Sequence, residues 1–287
     1  MKKILFFLLT VLLISGCAGK RHYSSSLMDY LYPNSQQEVY PSMPVLDLPL
    51  KVGIAFVPNH EAKGSAGFWS FSGSKHPDNI PISEKERMEL LDIVAQEFKQ
   101  QEFIDIIELI PSDYLSPYGG FDNLGQVRTM YGLDVIALIS YDQVQNIDEG
   151  FMSLTYWTII GAYIVKGEKN STNTLMDAAV FHIPSKSLLF RAPGTSFVKG
   201  SATPVNLDEQ LRKDAAEGLH LATGKMIENL KIQLELFQKK VQEQPERYKV
   251  TYQSKSYRGS GSIHLGLSMF FVLIGIAAGF SGWRRRK

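Results

Sequence analysis

The sequence Lys51-Val-Gly-Ile-Ala-Phe-Val57 predicts the central strand of the fold, because it is apolar on both strand faces and ends at Pro58. A strand that is apolar in both directions belongs near the centre of a sheet covered on each side. Proline cannot donate to a strand ladder, so it marks the point where such a strand stops. We therefore expect the folded domain to begin at Leu50 and to cover residues 50–240.

Strands and helices alternate after this stretch. Ser83-x-x-Glu86 is a capping box, which predicts the start of an amphipathic helix. Residues 103–110 then form a second strand, and a short helix from Asp122 is capped by Gly132. Residues 133–141 are the third and most apolar strand. The order strand, helix, strand, helix, strand favours a mixed or parallel sheet with crossover helices.

The pattern changes to a β-meander and then to a long helix. Residues 151–165, 172–183 and 187–198 have strand character, and Asn206-x-x-Glu209 predicts the cap of a helix that stops before Pro245. The fold class is therefore α+β, with a mixed sheet of about six strands and a long C-terminal helix. Residues 151–165 are apolar on both faces, which favours a buried strand, and a membrane-inserting hairpin remains open.

The N-terminus has the pattern of a secretory signal at residues 1–16, with Lys2 and Lys3 before an apolar run. It ends in Ile14-Ser-Gly-Cys17, which resembles the bacterial lipoprotein lipobox. The resemblance implies cleavage between Gly16 and Cys17 by lipoprotein signal peptidase, and acylation that fixes Cys17 to membrane lipid. Cys17 is the only cysteine, so the chain can form no internal disulfide. A secreted protein with an incidental cysteine is the alternative.

Residues 17–49 are rich in tyrosine, serine and proline and have no sustained period, which predicts a lipidated tether. Two interpretations of its tyrosines stay open. The tyrosines either mark a segment that binds a partner or pack on the protein's own domain. They are Tyr23, Tyr30, Tyr32 and Tyr40.

The C-terminus has the pattern of a membrane anchor. A linker at residues 241–262 precedes an apolar run, which predicts a transmembrane helix at residues 263–283. About 20 residues cover the roughly 30 Å of a bilayer core. The basic cluster at residues 284–287 places this end in the cytoplasm: Arg284, Arg285, Arg286 and Lys287. A buried core helix is the alternative.

The Gly259-Ser260-Gly261-Ser262 segment, the apolar helix and the basic cluster resemble the GlyGly-CTERM tails that rhombosortase processes. Together with the lipobox they resemble the rhombotarget lipoprotein family. That resemblance implies cleavage near residues 259–262 by a rhomboid-family protease in the envelope of a Gram-negative bacterium. Ala18 then implies transfer of the mature form to the outer membrane. An unprocessed protein anchored twice in the inner membrane remains the alternative.

The folded domain resembles the curli-secretion lipoprotein, the TolB amino-terminal domain and the lipoprotein activators of penicillin-binding proteins. The resemblance lies in the residues from Val52 to Pro58 and in Tyr131-Gly-Leu-Asp-Val-Ile136. Members of these families bind proteins or assemble pores in the envelope, so the resemblance implies a non-enzymatic binding or scaffold module.

Few residues have the spacing of a reactive site. The formal net charge of +1 argues against nucleic-acid binding, and no histidines stand at metal-ligand spacing. We therefore expect no catalytic residues, metal or cofactor, and an unknown envelope protein as partner. The loop at residues 59–81 carries a candidate contact surface, namely Phe68, Trp69 and Phe71. The alternative is an envelope hydrolase that uses His60, His76 and Asp78 of the same loop.

Overall fold

The structure, a computed structural model, describes residues 19–33, 39–58, 82–149 and 168–252. The chain divides into two units, residues 1–251 and residues 252–287. The fold presented below is that of the first unit. Its elements in chain order are β1 (Gly19–Ser24), α1 (Leu27–Leu31), β2 (Val45–Leu48), β3 (Leu50–Phe56), α2 (Glu84–Phe98), β4 (Ile104–Ile110), α3 (Gly120–Tyr131), β5 (Val135–Glu149), β6 (Glu168–His182), β7 (Ser187–Ala202), α4 (Leu207–Glu243) and β8 (Lys249–Tyr252).

A six-stranded mixed sheet lies at the centre of this unit. β3 runs parallel to both of its neighbours, β4 and β5, as expected for crossover helices. β5, β6 and β7 run antiparallel to one another, and β1 pairs with the part of β5 that extends past the end of β3. β2 and β8 form a separate two-stranded sheet. The α+β class, the mixed sheet and the long C-terminal helix are confirmed.

Helices cover both faces of the sheet. The core on the face of α2 and α4 includes Phe56, Leu91, Val94, Ile139, Met176, Ala222 and Met226. The core on the face of α1 and α3 includes Tyr30, Val57, Leu124, Val127, Ile136, Leu138 and Phe181. β3 contributes to both cores because it is apolar on both faces, as the sequence predicts.

Local signals set the ends of the helices. The Ser83 hydroxyl accepts from the Glu86 amide at 3.3 Å, and the Glu86 carboxylate accepts from the Ser83 amide at 2.9 Å, so the capping box is confirmed. Gly132 ends α3 in the left-handed conformation with φ 67°, also as predicted. Asn206 stands at the N-cap position of α4, as predicted, but its side chain makes no capping hydrogen bond.

β5 is longer than the sequence predicts. The sequence predicts an end at Tyr141, because the residues that follow are mostly polar, whereas the strand continues to Glu149. β6 and β7 also extend beyond the predicted bounds and keep pairing with their neighbours to their ends. The strand predicted at residues 151–165 lies outside the described residues.

The segment predicted as a tether is built into the domain where the structure describes it. β1 joins the sheet through β5, and Tyr30 of α1 is fully buried with its hydroxyl donating to Asn123 Oδ1 at 2.9 Å. β2 pairs with β8 near the end of the unit. Of the two interpretations of the tyrosines, packing on the protein's own domain holds for Tyr30. Burial of one large aromatic side chain with a satisfied hydroxyl contributes a few kcal/mol, which offsets the cost of ordering several residues.

No helix within the described ranges is long and apolar enough to cross a membrane. The transmembrane helix predicted at residues 263–283 lies outside those ranges.

Candidate functional site

A ladder of polar side chains continues the sheet beyond its apolar core, on the face that carries α4. Gln143 of β5 is opposite Thr174 of β6, and Gln145 is opposite Thr172. Each glutamine is almost completely buried, with 4% of Gln143 and 2% of Gln145 exposed. Buried polar groups need hydrogen-bond partners, so this ladder requires acceptors and donors from the helix above it.

Backbone carbonyls of α4 supply those acceptors. Gln143 Nε2 donates to the Thr174 hydroxyl at 2.9 Å and to the Ala215 carbonyl at 3.0 Å. Gln145 Nε2 donates to the Thr172 hydroxyl at 3.2 Å and to the Leu211 carbonyl at 2.8 Å. A carbonyl can only accept, so these bonds fix which end of each amide is nitrogen.

Glycines let α4 come this close to the sheet. A Cβ on Gly218 of α4 would lie 2.6 Å from the Thr174 hydroxyl oxygen. A Cβ on Gly194 of β7 would overlap the Ala222 carbonyl oxygen. Because no side chain separates the two layers here, the helix carbonyls come within reach of the ladder.

The oxygens of both glutamine amides are left without a partner in the described part of the chain. Each nitrogen uses its two donors, as above, while no described group donates to either oxygen. Neither oxygen is fully enclosed. Both therefore open onto the cleft that the two side chains line. Water in the cleft can donate to these acceptors, and a ligand that carries donors at the same places can replace it.

This cleft lies between α4, the start of α2 and the floor formed by β1 and β5. Its volume is about 190 Å³. Arg21 and Tyr23 of β1 stand beside Gln145 and Gln143 on the floor. The walls are mostly apolar and come from α4 and from the residue before the α2 cap: Leu211, Ala215, Ala216, Leu219 and Ile82.

Most charges around the cleft are committed to structural pairs. Arg21 donates to Asp208 at 2.6 Å, and Glu86 belongs to the α2 capping box. Burial lowers the pKa of Arg21, but Asp208 and Tyr23 together raise it by more, so the pKa lies above its usual value and the guanidinium stays charged. Arg212, also at the cleft, makes no hydrogen bond or close ion pair with any described residue. Its neighbour Glu209 is held by Lys213 at 2.7 Å.

The cleft thus presents acceptors on its floor, apolar walls and, at its rim, the Arg212 cation, which has no close ion pair among the described residues. Such a set of groups can bind a ligand that carries hydrogen-bond donors, an apolar part and a negative charge. Glu86, which lines the cleft, and Asp208, which is bound to Arg21 beside it, are both held by hydrogen bonds in structural roles. That arrangement suits recognition better than proton transfer.

The site residues that the sequence predicts lie elsewhere. The lipobox residues Gly16 and Cys17, the tail-processing residues 259–262 and the basic cluster 284–287 are outside the described residues. The aromatic loop with Phe68, Trp69 and Phe71 is outside them as well, as are His60, His76 and Asp78.

His182 is a buried histidine inside the described part of the chain. Its Nδ1 lies 2.7 Å from the Ser185 hydroxyl at the turn between β6 and β7. Burial lowers the pKa of His182, and the nearby Asp134 charge only partly opposes that shift. Across the described ranges, no three histidine, aspartate or glutamate side chains come together as metal ligands.

Sequence reasoning missed the cleft because its floor has no recognised motif. The available signal is the spacing Gln143-x-Gln145, which continues the period of β5, and the matching Thr172-x-Thr174 on the next strand. Polar residues at alternate positions ordinarily indicate a solvent-facing strand, so the pattern alone does not separate a buried ladder from an exposed face.

No family model and no curated protein matches the chain. One solved structure to which the chain aligns is a dodecamer of a PelC variant from Paraburkholderia phytofirmans, at 9% sequence identity. The alignment covers 70% of this chain and 96% of that chain, with a TM-score of 0.23. A TM-score this low establishes neither a shared fold nor a shared function.

Proposed function

We propose that the protein is a non-enzymatic lipoprotein of the bacterial cell envelope, and that its domain binds another envelope component at the cleft between β5 and α4. The observation that carries the binding role is the pair of open amide oxygens of Gln143 and Gln145. Each amide is held by two hydrogen bonds, so the acceptors are already oriented before a ligand arrives. Preorganised groups lose little entropy on binding.

The attachment to the envelope rests on the sequence. The lipobox supports acylation of Cys17, and the Gly259-to-Ser262 segment supports removal of the C-terminal tail by a rhomboid-family protease. The mature form is then held in the outer membrane by its lipid alone. Without that cleavage the chain is anchored at both ends in the inner membrane.

Intact mass distinguishes these two forms. The full chain is recovered from membrane fractions of cells with and without the candidate rhomboid protease. A sorted lipoprotein shows a mass gain at Cys17 in both strains and loss of the tail only where the protease is present. A full-length tail in both strains contradicts the processing proposal.

Site-specific photocrosslinking in intact cells tests the binding role. A photoreactive residue replaces Ala216, which lines the cleft on α4, and in a control it replaces Lys225. The two positions are nine residues apart, which places them on opposite sides of the helix at about 100° per residue. We expect a discrete adduct with an envelope protein from position 216 and none from position 225. Equal labelling from both positions, or no adduct from position 216, contradicts binding at the cleft.

A further inference from the structure

We propose that the ligand of the cleft is an extended, acidic peptide segment of another envelope protein. This inference rests on the proposed binding function and specifies the chemistry of its ligand. It follows from the spacing of the two amide oxygens, from the Arg212 guanidinium, which has no close ion pair with a described residue, and from the apolar wall of α4.

The spacing of the acceptors matches an extended backbone. Gln143 and Gln145 are two residues apart on one face of β5, which separates equivalent atoms by about 6.8 Å. In an extended peptide, the N–H groups that point to one side also recur every second residue, at about the same distance. Two successive donors of such a segment can therefore reach the two oxygens together, and each bond satisfies an acceptor that the fold leaves open.

The charge at the rim favours an acidic ligand. Arg21 is paired with Asp208 at 2.6 Å, whereas Arg212 has no described partner within hydrogen-bond distance and interacts with Glu209 only at longer range. Glu86, which also lines the cleft, engages the Ser83 amide and hydroxyl through Oε2 and makes no ion pair with Arg212 among the described residues. A carboxylate on the ligand can take a bidentate pair with the Arg212 guanidinium.

The α4 wall suits the alternation of an extended chain. Leu211 and Leu219 line the cleft on either side of Ala215 and Ala216, so large apolar side chains flank a section of the wall that has small side chains. Side chains of an extended peptide alternate in direction, and those that point to the helix meet this apolar surface. The walls therefore favour a segment in which apolar residues alternate with polar or acidic ones.

Calorimetry with defined peptides tests the assignment on the full chain in a mild detergent. The probe is the end-blocked peptide Thr-Val-Glu-Val-Thr-Val, for which we expect a Kd of about 1 mM or tighter. One control peptide carries glutamine in place of glutamate. A second is methylated on two alternate backbone nitrogens, which removes the donors without changing the sequence.

Variants at one exposed arginine and one exposed lysine of α4 provide the matched protein controls. Arg212→Gln should weaken binding of the glutamate peptide about fivefold or more, and should have no effect on the glutamine peptide. Lys225→Gln makes the same change of charge on the far side of the helix and should leave the affinity within about twofold. Both positions are exposed, so neither change disturbs the glutamine ladder.

Several results would overturn the peptide assignment. They are equal affinity for the methylated and unmethylated peptides, equal effects of the two variants, absence of binding, or preferential binding of a neutral sugar such as maltotriose. An adduct from position 216 together with any of these results leaves the binding role intact and removes only the ligand class. Peptide binding in solution without a cellular adduct leaves the chemistry of the cleft intact and removes the proposed role in the envelope.

Discussion

Adding one methyl group at two glycines of α4 should change stability in opposite directions. Gly218 faces the polar ladder, where a Cβ would lie 2.6 Å from the Thr174 hydroxyl oxygen and 3.6 Å from Gln143 Nε2. Gly224 lies on the same helix, and a Cβ there would meet nothing within 4 Å. The pair therefore separates the intrinsic preference of a helix for alanine from the close approach of α4 to the sheet.

The magnitudes follow from these distances. Alanine in place of glycine in a helix interior stabilises by about 1 kcal/mol, so Gly224→Ala should raise the free energy of unfolding by about that amount. Gly218→Ala gains the same helix-propensity contribution of about 1 kcal/mol. It also forces the Thr174 hydroxyl away from Gln143, at a cost of about 1 kcal/mol, and crowds the interface, at about 1–3 kcal/mol. The net expectation for Gly218→Ala is a loss of about 1–3 kcal/mol.

Urea unfolding of the full chain in a mild detergent, followed by far-ultraviolet circular dichroism, measures both changes. The double variant Gly218→Ala with Thr174→Ala should recover part of the loss, because it removes the atom that the new methyl group strikes. If Gly218→Ala stabilises the protein as much as Gly224→Ala does, α4 does not lie on the ladder as described.

Three further changes probe the same structure. Tyr30→Phe should lower the free energy of unfolding by about 1 kcal/mol, because it removes the buried bond to Asn123; Tyr32→Phe is the control, and equal effects would contradict a built-in N-terminal segment. Gly194→Ala should cost about 3 kcal/mol by the same unfolding assay, since the new methyl group would overlap the backbone of α4 at Ala222; a neutral result would contradict this contact. The pKa of buried His182 is lower in the folded chain than in the unfolded chain. Below the usual histidine value of about 6.5, the unfolded chain therefore binds more protons than the folded chain, and the free energy of unfolding falls as pH falls. His182→Gln should flatten that part of the pH profile, and an unchanged slope would refute the assignment.

The centre of the fold was predictable because its signals are local. The stretch from Lys51 to Val57 is apolar on both faces, and such a strand is stable mainly in a sheet that is covered on both sides. The Ser83 capping box and the left-handed Gly132 cap depend on a few neighbouring residues. These elements therefore appear in the structure within a few residues of their predicted bounds.

The candidate site was not predictable in the same way. Gln143 and Gln145 are buried because carbonyls of a helix more than 60 residues later in the chain accept from their amides. No residue near Gln143 and Gln145 in the sequence indicates that these carbonyls will be their partners. The predicted end of β5 at Tyr141 is too early for the same reason, since polar residues after an apolar run usually mark the end of a strand.

The N-terminal segment shows a related limit. Its proline and serine content predicts an extended tether, yet Tyr30 is fully buried and held by Asn123, which lies 93 residues further along the chain. A single long-range contact of this kind leaves no periodic pattern in the sequence. Asn206 shows the reverse case, because a suitable capping residue stands at the start of α4 and does not make the bond.

Binding at the cleft depends most on its two open amide oxygens, and nuclear magnetic resonance can observe their amides directly. The side-chain amide signals of Gln143 and Gln145 are followed in the full chain while the glutamate peptide is added, with exposed Gln96 as an internal control. We expect saturable shifts of both ladder signals at one common affinity, and no shift of the control. Unchanged ladder signals under conditions where the peptide binds would place the ligand elsewhere and contradict recognition by the two glutamines.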